Sequence, residues 1–69
     1  MKRGGMAVER KSRKILARLR REGWQDAGSE GSHHKLRHPD TGKTIIVPHP
    51  KKDLPTGTAR KIAKQAGWL

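Results

Sequence analysis

Thr44-Ile45-Ile46-Val47 is a run of four β-branched residues held between two sets of chain-breaking residues, Pro39-Asp40-Thr41-Gly42 before it and Pro48-His49-Pro50 after it. β-Branched side chains favour the pleated conformation, so this run reads as a strand with Ile45 and Val47 on one face and Thr44 and Ile46 on the other. Pro, Asp and Gly in the preceding segment are turn residues. The stretch on the other side of that turn, His33–Arg37, then reads as the first arm of a hairpin whose second arm is Lys43–Val47. The sequence around this hairpin must supply the layer that buries one of its faces.

Two amphipathic segments do so. Ile15, Leu16 and Leu19 fall on one helical face, Ser12 stands where an N-cap would, and Gly23 suits the position just past the C-terminus, which predicts a helix over about 12–22. Arg13, Lys14, Arg18, Arg20 and Arg21 occupy its other face. Near the end of the chain Ala59, Ile62, Ala63 and Ala66 recur at i, i+3, i+4 and i+7. Thr56 or Thr58 is placed to cap this second helix, and Gly67 to end it. Between the first helix and the hairpin, Trp24–Glu30 is polar and contains Gly28, which predicts a short or irregular first strand. The resulting order is α-β-β-β-α, an α+β fold with two helices on one face of a three-stranded antiparallel sheet and the other face open. Residues 12–69 form the predicted domain, and residues 1–11 are expected to be a flexible basic tail.

Sixty-nine residues suffice for one domain, and a domain of this size buries only about 60% of its extended surface. Seventeen Lys+Arg against six Asp+Glu give a net +11. The tail holds Lys2, Arg3, Arg10 and Lys11 against Glu9, a net +3, so +8 remains on the domain. Such an excess favours a polyanionic partner, whether nucleic acid, an acidic membrane surface or an acidic protein, and charge alone does not choose among them. The chain has no cysteine, so it has neither a disulfide framework nor a thiolate nucleophile, in keeping with a reducing cytoplasm. No apolar run approaches the ~20 residues of a membrane span or the ~7–15 of a signal-peptide core.

All four histidines lie in Gly31-Ser32-His33-His34-Lys35-Leu36-Arg37-His38-Pro39 and Val47-Pro48-His49-Pro50-Lys51-Lys52, among several cations and few carboxylates. Phosphodiester chemistry without a metal needs a group titrating near neutrality to move protons and cations to stabilise the phosphorane, and imidazole with Lys or Arg meets both needs. Strand alternation puts His33 on the face that carries Lys35 and Arg37, with His34 turned toward Leu36 and the helices. His38, before a proline at the turn, is expected to cap the hairpin through a ring-to-backbone bond. His49, held extended between two prolines, is a candidate second proton-transfer group or phosphate contact. The histidines complete no common zinc set, so neither a metal nor a cofactor is expected. Lys35, Arg37, Lys43, Lys51 and Lys52 are the candidate phosphate contacts if the polyanion is a nucleic acid such as RNA. With no Phe or Tyr, and with both Trp24 and Trp68 expected in the core, stacking platforms for bases are scarce and a loose base preference follows.

The order Gly-Trp, Gly-Ser-His-His, His-Pro, Val-Pro-His-Pro-Lys-Lys-Asp-Leu-Pro, Gly-Thr and Lys-Gln-Ala-Gly, running from about Ser12 to Leu69, resembles the HicA family of bacterial toxin–antitoxin systems. The resemblance implies a double-stranded-RNA-binding-domain-like fold and a metal-independent endoribonuclease that cleaves mRNA. It also implies a HicB-type antitoxin as partner. By the same resemblance the functional histidine, directly after Gly31-Ser32, is His33. Gly31 would let the backbone approach a phosphate, and Ser32 would offer a hydroxyl or amide donor. The alternative reading is a non-catalytic RNA-binding module of the same fold. A DNA-binding regulator lacks its helix-turn-helix here, and a membrane-active peptide lacks a broad apolar face.

Overall fold

A computed structural model of the chain describes residues 8–48 and 52–69. Its elements are α1 (Ser12–Arg21), β1 (Gln25–Glu30), β2 (His33–Arg37), β3 (Thr44–Pro48) and α2 (Thr56–Ala66). The α-β-β-β-α order and the α+β class are as expected. The strands form one antiparallel sheet in the order β1-β2-β3, with β2 in the middle.

The core lies between the helices and one sheet face. Ile15, Leu16 and Leu19 from α1 and Ala59, Ile62 and Ala63 from α2 are buried with Leu36, Ile45 and Val47 from the sheet. Trp24 and Leu54, from the connections, complete it. The opposite sheet face carries His33, Lys35, Arg37, Thr44 and Ile46, all exposed. One-residue alternation in β2 and β3 therefore decides which residues are core and which are surface.

β1 is irregular for an identifiable reason. Its register shifts between Asp26 and Ser29, so Ala27 and Gly28 together oppose Lys35. This is a β-bulge, and Gly28, with φ of 122°, takes up the backbone conformation it requires. β1 and β2 are joined by only two residues, Gly31 and Ser32. Gly31 has φ of 57°, the positive value that a two-residue hairpin loop asks of its first position.

Both helices end in the same way. In α1, Trp24 N–H bonds the Leu19 carbonyl at 3.0 Å and Gly23 N–H bonds that of Arg20 at 3.1 Å; in α2, Trp68 N–H bonds Ala63 at 2.8 Å and Gly67 N–H bonds Lys64 at 3.1 Å. These are the paired bonds of a Schellman motif, with left-handed Gly23 and Gly67 making the reversal.

The N-termini differ from expectation. Ser12 is inside α1, not its cap; Lys11 holds the cap position and makes no side-chain bond to the helix. The Ser12 N–H instead donates to the Lys52 carbonyl at 3.1 Å, while Leu54 N–H donates to the Arg10 carbonyl at 2.7 Å and Arg10 Nε donates to the Leu54 carbonyl at 2.8 Å. Backbone from the approach to α2 thus does the work of a cap, and Val8 packs on the core beside it. For α2 the cap position is Pro55, and both Thr56 and Thr58 lie within the helix.

Trp68 packs at the edge of the core, as expected in part: it is half-buried, and it also lies against α1, with the Arg18 guanidinium 4.1 Å from its ring centroid and its Nε1–H donating to Glu22 Oε1 at 2.7 Å. Arg18 Nε reaches the other Glu22 oxygen at 3.0 Å. The Trp68 bond, and after it Arg18, hold the Glu22 carboxyl below its ordinary range. A carboxyl lowered on folding adds stability at pH values above its unfolded pKa, and that stability is lost as pH falls through the folded value. Trp68→Phe, which removes the indole donor, is expected to cost about 1 kcal/mol or less at neutral pH because Glu22 is substantially exposed. The difference from the natural chain should shrink toward pH 3 in urea titrations; a difference independent of pH would assign the effect to ring packing alone. Among the described residues no helix is long and apolar enough to cross a membrane.

Candidate functional site

The open face of the sheet is where the chemistry-bearing side chains gather. His33, Lys35 and Arg37 alternate along β2 and stand about 7 Å apart along the strand. Because β2 is central, its neighbours hold all three. Pro48 pairs with His33, Ile46 with Lys35 and Thr44 with Arg37 on one side; Glu30 pairs with His33 and Gln25 with Arg37 on the other. His33, Lys35, Ile46 and Glu30 line an open concavity of about 280 Å³ that reaches over the β1 bulge. An open hollow of this kind suits an extended polymer better than an enclosed small molecule.

The other histidines have different surroundings. His34 is half-buried and pairs with Val47, on the sheet face turned to the helices. His38 belongs to the turn as expected: Asp40 N–H donates to its Nδ1 at 3.2 Å, its own N–H donates to the Lys43 carbonyl at 2.9 Å, and its ring meets Trp24 edge-on at 5.2 Å. His33 thus stands apart from His34 and His38. His49 and Lys51 lie outside the described residues.

The cations expected from sequence to meet RNA divide into two groups. Lys35 and Arg37 share the face of His33. Lys43 sits at the far end of the hairpin, about 16 Å from His33 at the usual rise per residue. Lys52, exposed, lies beside the start of α1. Gly31 and Ser32 are the two turn residues, exposed and next to His33, and no atom lies within 4 Å of where a Gly31 side chain would begin. Backbone conformation, not crowding, therefore accounts for glycine there.

Glu30 is a site residue that sequence reasoning missed. The tight turn sets its exposed carboxylate directly across from His33, and among the described residues it has no ion-pair partner. The signal is present in Glu30-Gly31-Ser32-His33, since a glycine leading a two-residue loop pairs the residues on either side of it. Asp26, the other carboxylate of β1, turns to the helix side and meets Arg20 at 3.1 Å.

A family model described as the HicA toxin of bacterial toxin–antitoxin systems matches residues 12–68 of the 69-residue chain. The chain belongs to the HicA toxin family. Membership makes it a toxin with an antitoxin as its partner. A comparison with curated proteins finds no significant match. The HicA match spans both helices and the whole sheet, so the His33 face, its two-residue turn and the segment before α2 all fall within it.

Proposed function

We propose that this HicA-family chain is a metal-independent endoribonuclease that cleaves mRNA, with His33 as its catalytic residue and a HicB-type protein as its antitoxin. The observation that carries the reading is the display of His33 beside Lys35 and Arg37 on an open, solvent-exposed sheet face. RNA laid along β2 would set a phosphate against these cations, with its ribose 2′-OH near the imidazole. His33 moves a proton to or from the reacting oxygens as the 2′-oxygen attacks phosphorus and the 5′-oxygen leaves. Lys35 and Arg37 offset the charge that builds on the non-bridging oxygens. Lys43 and Lys52, farther away, contact the strand elsewhere and add affinity that falls with salt.

The reaction has a distinctive product. Attack by the 2′-oxygen leaves a 2′,3′-cyclic phosphate on one fragment and a 5′-hydroxyl on the other. Incubation of the chain with RNA in excess EDTA is expected to yield these ends. Products with 3′-hydroxyl ends, or cutting that appears only when a divalent ion is restored, would sink the mechanism. Tight binding without any cutting would favour the non-catalytic RNA-binding module.

A further inference from the structure

Among the described residues both outer strands of the sheet have a free side, and the two are protected unequally. β1 has its bulge, and Asp26 and Glu30 place charge along it. These devices spoil a sheet edge as a template for another strand. β3 has neither: it pairs with β2 without a register shift, Thr44-Ile45-Ile46-Val47 is uncharged, and Ile46 is 54% exposed.

The phase of the ladder shows which backbone groups are unused. His38 N–H bonds the Lys43 carbonyl. Alternation then turns the backbone groups of Lys43, Ile45 and Val47 toward β2, and those of Thr44 and Ile46 outward. Pro48, next in the outward row, offers a carbonyl but no donor, so an added strand would pair with Thr44 and Ile46 and end there. Beside this row lies a groove of about 460 Å³. Its far wall is the face of α2 formed by Thr58, Lys61, Ile62 and Gln65, residues at i, i+3, i+4 and i+7.

Charge selects the occupant. A second copy of this chain would bring two +11 molecules edge to edge, with Lys43 and Lys61 near their counterparts. An acidic strand meets the opposite field. Its backbone would bond Thr44 and Ile46, its apolar side chains would lie by Ile46 and Ile62, and its carboxylates would reach Lys43 and Lys61. We infer that the free edge of β3 is the docking site for an extended acidic segment of the antitoxin, added as a fourth strand. Such strand addition takes affinity from main-chain bonds and specificity from alternate side chains. The inference rests on membership of a toxin–antitoxin family and not on RNA cleavage.

The test is an amide-resolved NMR titration of the whole chain with a capped peptide of alternating Glu and Val at millimolar concentration. Hydrogen exchange at Thr44 and Ile46 is expected to slow at least about tenfold, with none of that protection along β1. Ile46→Pro removes an outward donor and leaves the β2 ladder whole; it should weaken binding about tenfold. Lys61→Glu, on the exposed surface of α2, should weaken it as well and serves if the proline variant does not fold. Unchanged exchange at Thr44 and Ile46, equal binding of a Lys–Val peptide, or undiminished binding by Lys61→Glu would overturn the inference. So would protection that grows with protein concentration alone, which would assign the edge to a second copy. No readout involves RNA, so failure of the nuclease reading leaves these outcomes interpretable.

Discussion

His33→Ala is expected to lower RNA cleavage by about 10²–10⁴-fold, the range typical of losing a proton-transfer group, with little change in RNA affinity. His33 is exposed and its side chain has no partner among the described residues. Its removal should therefore change stability by no more than about 0.5 kcal/mol, and circular dichroism should match that of the natural chain. Lys35→Ala and Arg37→Ala should also lower kcat but, unlike His33→Ala, should raise KM as well and reduce the salt dependence of binding by about 0.7 in the log–log slope for each phosphate left without its cation. His33→Ala is the diagnostic variant because one that merely disturbed the sheet would lose RNA affinity along with cleavage. If His33→Ala cuts as well as the natural chain, the assignment fails and His49 becomes the residue to replace.

Leu36→Ala should unfold most of the protein at 37 °C. Leu36 has 0% exposure, lies on the central strand and pairs with Ile45, itself buried. Truncating such a leucine costs about 2–5 kcal/mol through forfeited transfer energy and the cavity left behind. A single core in a chain this short rarely supplies more than about 3–5 kcal/mol. The penalty is thus comparable with the whole stability, and cleavage should vanish with it because His33 and Lys35 sit on the same strand. Ile46→Ala, one strand across but on the open face, should shift the urea midpoint little. A Leu36→Ala chain that melts within a few degrees of the natural one would mean that the core is distributed differently from the packing described above.

The parts legible in the sequence share a common length scale. The hairpin, both amphipathic helices and both glycine-ended C-termini depend on residues a few positions apart. The N-termini are not legible in this way: the sequence offers the Ser12 hydroxyl as a cap, whereas in the fold it is the Ser12 N–H that needs a partner and finds it at Lys52, forty residues on. Leu54 carries no periodic signal, yet it is fully buried. The position of Trp68 after a glycine points it to the core, and it packs at the core's edge; its contacts with Arg18 and Glu22 of α1 are not legible from that position.

The same division runs through the site. Local sequence is enough to place His33, Lys35 and Arg37 on one face and to turn His34 to the other, because side-chain alternation in a strand is a property of the chain's own backbone. It is not enough to show how β1 pairs with β2, that its bulge falls opposite Lys35, that Lys43 lies at the far end, or that β3 keeps a free edge. Those outcomes depend on register and on which strand lies beside which, and register is settled by burying Leu36, Ile45 and Val47 against two helices that meet the sheet only when the whole chain folds.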